Sequence, residues 1–215
     1  MRKFSIISLL VFMAVFALIT VSYSKSWSHI NSLAEYTDGS SEWVAFLNWY
    51  PLKVVDSLNG VTVKYTDFES KNLSGNIDLK NFIQLCNASL AFAILAWIGS
   101  LAMIVLSIAD IIEIKLPPIG KFLGWIVFLF SLLSFLIYLG TPAAKRKDCD
   151  NNFDNCESLY FYQKKFIGTF TGYVDERVVE FKYGPSAGWN CIVIACAVSL
   201  LGSVFNLFFF NHQNV

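Results

Sequence analysis

The chain alternates between long stretches without charge and polar stretches of unequal length. Phe4–Ser24, Cys86–Ala109, Phe122–Ala144 and Tyr183–Val215 contain no Lys, Arg, Asp or Glu. A helix needs about 20 apolar residues to cross the hydrocarbon core of a bilayer, and every window is long enough. A helix of a soluble bundle keeps a polar face. Runs such as "FLGWIVFLFSLLSFLIYL" have none. The pattern predicts four membrane spans, at about 4–24, 87–109, 120–141 and 187–210, in one four-span domain covering 1–215.

The polar stretches between the spans are two long loops, 25–86 and 142–186, and a short connector, 110–119. "NGVTVKYTDF" (Asn59–Phe68) opens on a turn dipeptide and alternates Val61, Val63 and Tyr65 with Thr62, Lys64 and Thr66. That is the period of a strand. "ESLYFYQKKFIGTFTGYVDERVVEFKYG" is rich in aromatic and β-branched residues, with Asp175-Glu176-Arg177 between two strand-like runs. The expected fold is mainly α: a bundle of four transmembrane helices under a small antiparallel β-sheet that both long loops build. Gly184 and Pro185 are expected to stop the last strand. Gly188 then opens the turn into the fourth span, and Trp189 meets the membrane interface.

Lipid gives helices no hydrophobic reason to associate, so spans pack through small residues. In the fourth span Ala187, Cys191, Ala195, Ser199 and Ser203 recur every four residues and are expected to face the neighbouring helices. Ser89, Ala93, Ala96, Ser100 and Ser107 do the same in the second span. Gly120, Gly124, Ser131 and Ser134 do so in the third.

Charge and cysteine placement address orientation. An even number of spans puts both termini and the short connector on one side. Arg2, Lys3, Lys115 and Lys121 lie there, which favours a cytosolic side for that end. Lys145-Arg146-Lys147 argues the other way. Cys149 and Cys156, close together in a polar loop, suit a disulfide in an oxidising compartment, against the alternative of two free thiols. Asn72-Leu-Ser is a glycosylation sequon. Both features place the long loops outside the cytosol, at the plasma membrane or in an endomembrane lumen. The first window is read as a retained span, although Met1-Arg2-Lys3 before an apolar run also resembles a signal peptide.

Candidate chemistry is sparse. The apolar runs Phe4–Ser24, Cys86–Ala109, Phe122–Tyr138 and Ala187–Phe210 hold no Asp, Glu, Lys, Arg or His of the kind that marks proton or ion pathways. His29 and His212 fall in different compartments, and no hydrolase, zincin or phosphate-loop spacing occurs. With 16 Lys+Arg against 16 Asp+Glu there is no electrostatic footprint for nucleic acid. No enzyme, cofactor or metal is expected. The expectation is a protein that works by contact, with itself as a homo-oligomer or within a larger membrane complex. The aromatics Tyr160, Phe161, Tyr162, Phe166, Phe170 and Tyr173 are its expected surface. An oligomeric channel or small-solute transporter is the alternative.

The layout of the four spans and three connections resembles the claudin and peripheral-myelin-protein group. The closest local likeness is "YGPSAGWNCIVIACAVSLLG" (Tyr183–Gly202), carried by Gly184, Gly188, Trp189, Leu200, Leu201 and Gly202. The resemblance implies a cytosolic amino terminus, one antiparallel sheet built by both outer loops, and roles in adhesion or membrane organisation. The chain departs from that group in its first loop, where Trp43 and Trp49 come without Gly-Leu-Trp or a cysteine pair. Its cysteine pair lies in the second loop, and Gln213 stands where a PDZ ligand has Ser or Thr.

Overall fold

A computed structural model of the chain describes residues 2–35, 41–56, 61–64, 79–114, 120–152, 165–174 and 177–209. Asn72, Cys156 and Tyr160–Tyr162 lie outside the described residues. Among the described residues, five helices and six strands follow one another as α1 (Arg2–Ser24), β1 (Ser28–Glu35), β2 (Ser41–Trp49), β3 (Lys53–Asp56), β4 (Val61–Lys64), α2 (Lys80–Ile111), α3 (Gly120–Leu139), α4 (Thr141–Asn152), β5 (Gly168–Val174), β6 (Arg177–Pro185) and α5 (Ala187–Phe209). Four helical stretches are long and apolar enough to cross a membrane. The expected spans are therefore present, although α2 starts at Lys80 rather than near residue 87.

Residues group into two compact units, one of 1–23, 89–136 and 190–215, the other of 24–88 and 137–189. The first is helical. Its buried positions repeat in alternating steps of three and four: Ser5, Ser8, Phe12, Val15, Ile19 and Ser22 in α1, and Ser89, Ala93, Ala96, Ser100, Met103 and Ser107 in α2. Gly120, Gly124, Val127, Ser131 and Ser134 do the same in α3, and Ile192, Ala195, Ser199, Gly202 and Asn206 in α5. A seam repeating about every 3.5 residues is the signature of left-handed, shallow-angle packing. The small side chains let backbones approach closely. A Cβ on Gly202 would lie 2.6 Å from Val11 Cγ1, and one on Gly124 would lie 3.1 Å from Ser203 Oγ.

The seam serines satisfy their hydroxyls in two ways. Some bond back to their own helix, as Ser199 does to the Cys196 carbonyl at 2.8 Å and Ser203 to the Ser199 carbonyl at 2.6 Å. Others tie helices together. Ser89 donates to the Ser134 carbonyl at 2.7 Å, Ser107 to Ser8 Oγ at 3.3 Å, and Ser5 to the Asp110 carboxylate. Trp97 stacks on Phe16 at 4.9 Å and donates to Thr20 Oγ1 at 3.0 Å. The α2 helix ends in a Schellman closure. Ile114 N–H reaches the Ala109 carbonyl, Glu113 N–H reaches Asp110, and Glu113 takes the left-handed φ of 66° that this motif needs.

The second unit is built on one antiparallel sheet of order β4-β3-β2-β1-β6-β5. The first loop supplies β1 to β4 and the second supplies β5 and β6, so the two loops join at the β1–β6 ladder. That ladder runs from Ser28 opposite Pro185 to Ala34 opposite Val179. Helix α4, in the same unit, was not foreseen: "TPAAKRKDCDNN" reads as a polar loop. Pro142 explains why α4 is separate from α3. It has no N–H for the preceding turn, and Gly140 closes α3 instead with a bond to the Ile137 carbonyl at 3.0 Å.

Candidate functional site: the base of the sheet

Chain segments that leave and re-enter the spans are stitched together at the base of the sheet. Trp27 N–H donates to the Trp49 carbonyl at 2.7 Å, Ser186 N–H to the Trp27 carbonyl at 2.9 Å, and Gly188 N–H to the Ser26 carbonyl at 2.8 Å. The Ser26 and Ser186 hydroxyls meet at 2.7 Å. A Cβ on Gly188 would stand 2.6 Å from Trp27 Cδ1, 2.7 Å from the Lys25 carbonyl and 2.8 Å from the Ser26 carbonyl. Glycine is therefore required here by close approach, not by an unusual φ.

Of the two residues expected to stop the last strand, Gly184 lies inside it and Pro185 ends it. Gly184 pairs with His29 and Pro185 with Ser28, and β6 ends only at Pro185. Proline is tolerated there because the ladder needs no further donor at its last position. Trp189 is half-buried, with its ring 5.1 Å from Phe166. Phe166 in turn meets Tyr138 edge-on at 6.1 Å, and Tyr138 meets Trp27 at 5.0 Å. Phe166, itself half-buried, links Trp189 to Tyr138 in this row. Tyr138, the aromatic at the end of α3, also donates from its hydroxyl to Ser28 Oγ at 3.0 Å.

Beside this aromatic row, two charged residues of α4 are buried. Lys145 is 2% exposed and Asp148 is 1% exposed. The Lys145 ammonium lies 4.5 Å from the centre of the Trp49 ring and 4.9 Å from that of Phe82. Those rings meet edge to face at 5.0 Å. A cation facing two aromatic faces regains part of the solvation it loses. Asp148 accepts from Asn81 N–H at 2.9 Å, Asn81 Nδ2 at 2.5 Å and Phe82 N–H at 2.7 Å. These are amides of the first turn of α2, which the apolar Leu79 before it cannot cap. Asp148 therefore caps α2 from another helix, and its negative charge suits the positive end of the helix dipole. Among strand residues, burial lowers the imidazole of His29 below its ordinary range.

The helix-packing residues expected in the fourth span separate into two groups. Ala195, Ser199 and Ser203 are fully buried, Cys191 is half-buried and Ala187 is exposed. A spacing of exactly four residues gains about 40° per step around a helix of 3.6 residues per turn, so such a stripe rotates out of a straight seam. Ile192 and Gly188 occupy the inward positions instead. Cys86, Cys191 and Cys196 carry reduced thiols, outside any disulfide. Cys149 is not among them and is fully buried in α4.

Sequence reasoning missed Lys145 and Asp148, although a signal was present. Tyr138, Thr141, Lys145 and Asp148 continue the three-and-four spacing of the α3 seam, and all are buried.

No protein-family model matches the chain, and no curated protein matches it. The fold itself defines the class. This is a four-span integral membrane protein with an antiparallel sheet assembled from its two long loops.

Proposed function

We propose that this protein is a non-enzymatic contact protein whose sheet is its recognition surface. It serves in adhesion or membrane organisation in the manner of the claudin group, or as an accessory subunit of a larger membrane complex. The observation that carries this reading is the single sheet of both loops on a clamped base. Lys145 and Asp148, the buried charged groups of that base, are engaged in packing and capping. In this reading both termini are cytosolic, and the sheet faces the cell exterior or an endomembrane lumen. Cys149 is bridged to Cys156, and Asn72 carries glycan.

Affinity isolation in mild detergent, with chemical cross-linking in intact membranes, tests the role. A stoichiometric partner or homo-oligomer cross-linked through β1–β6 supports it. A monomer with no cross-linked partner overturns it. Mass mapping without reduction tests the compartment: a Cys149–Cys156 peptide supports it, and two free thiols reachable from the cytosol overturn it.

The seam favours a second reading, an oligomeric channel or small-solute transporter. Ser131 Oγ and both amide atoms of Asn206 are buried without a hydrogen-bond partner among the described residues. Solute flux into liposomes carrying the purified protein, abolished in Asn206→Leu, would select that reading.

A further inference from the structure

In the sheet-bearing unit, large apolar side chains are exposed at only three described positions: Leu52, Leu139 and Ile167. All three lie at the base. Leu52 is 59% exposed at the tip of the tight turn from Tyr50 to Lys53, closed by Tyr50 N–H on the Lys53 carbonyl at 2.8 Å. A hairpin tip usually carries Gly, Asn or Asp, so leucine there calls for a reason. Ile167 is 64% exposed, immediately before β5, and a Cβ on the base residue Gly184 would lie 3.7 Å from its Cγ2. Leu139 is the last residue of α3 and continues the exposed apolar face of Leu129, Leu133 and Leu136.

Further along the strands the exposed described residues are polar, namely Thr62, Thr169, Thr171, Glu180 and Lys182. The base has lysines as well: Lys25, Lys53 and Lys165 are all exposed. The register fixes this arrangement. Ser28, four residues beyond the end of α1, pairs with both Trp49 and Pro185, and Pro185 lies two residues before α5.

Apolar tips interleaved with lysines, only a few residues along the chain from the ends of the spans, match the chemistry of a bilayer interface. We propose that the base of the sheet is a phospholipid-binding rim. Leu52 and Ile167 enter the leaflet between headgroups, while Lys25, Lys53 and Lys165 meet lipid phosphates with their stems along the apolar boundary. The rim would hold the sheet against the membrane surface whatever partner its outer strands engage.

The test places the photoreactive residue p-benzoylphenylalanine at position 52, 167 or, as a control higher on the sheet, 180. The full-length protein is reconstituted in phosphatidylcholine vesicles. After illumination, mass spectrometry should find phospholipid adducts at 52 and 167 at several times the yield at 180. Equal yields at all three positions, or adducts joining two protein chains at 52 and 167, overturn the proposal. The phosphate contacts are tested by Lys53→Glu with Lys165→Glu. Lipid adducts at 52 and 167 should fall at least twofold, and an unchanged yield rejects the headgroup role of the lysines.

Discussion

Gly188 N–H donates to the carbonyl oxygen of Ser26 across 2.8 Å, joining the start of the last span to the chain just after the first. The bond is possible because position 188 has no side chain.

Gly188→Ala puts a methyl carbon within 3 Å of two backbone carbonyl oxygens, which cannot move aside as a flexible side chain would. The expected loss is about 3 kcal/mol. It is measured as a lowered unfolding midpoint in detergent, followed by tryptophan emission, since Trp27 and Trp189 flank the contact.

Replacing Asp148 uncaps α2. Asp148→Ala should cost about 1–3 kcal/mol because amides of Asn81 and Phe82 lose their acceptors. Asp148→Asn keeps one acceptor oxygen and should lose less. Hydrogen exchange provides the specific readout: the Asn81 and Phe82 amides should exchange faster in both variants, with alanine the faster. Unchanged protection would refute the cap.

At position 202 the obstacle to a larger residue is the end of one side chain, Val11. Gly202→Ala should therefore cost about 1 kcal/mol, and Val11→Ala should relieve most of that cost in the double variant. Thermal unfolding of the two single variants and the double variant measures the coupling. Simple additivity would show that the helices do not meet there.

His29 predicts a pH dependence. Its folded-state pKa is depressed by burial, so the unfolded chain takes up the proton first as pH falls. Its contribution to stability is complete above about pH 6.5, the ordinary imidazole value, and shrinks as pH drops below it. Between pH 7 and pH 5 the native protein should lose more stability than His29→Gln. Parallel pH profiles for the two would contradict this.

The spans were legible because a charge in hydrocarbon is expensive, and the charge-free windows are long and clear. The inner faces of α2 and α3 were legible from their small residues. The inner face of α1 was not. Phe12, Val15 and Ile19 are the same kinds of residue that face lipid, so composition cannot separate seam from exterior. Only their three-and-four spacing could. In the sheet, β5 and β6 show in the aromatic and β-branched run before Pro185, and β4 in Val61 and Val63. Strand β1, "SHINSLAE", has no alternating apolar pattern. It is a strand because β2 and β6 hydrogen-bond to it on both sides, a tertiary cause that single-sequence periodicity cannot reveal. Lys145 and Asp148 were hidden for a related reason: charged residues read as solvated until Trp49, Phe82 and the start of α2 are seen around them.

The β1–β6 ladder has a consequence for biogenesis. Strand β1 leaves the ribosome long before β6, and two further spans must be made between them. Until then β1 can pair with β2 alone and keeps one open edge, which other chains in the same compartment could capture. The ladder forms only when the second long loop has reached the side of the membrane where the first already waits. A closed sheet is thus a built-in record that the intervening spans have inserted in the right order. An antibody specific for the paired β1–β6 surface would distinguish finished molecules from stalled ones during synthesis.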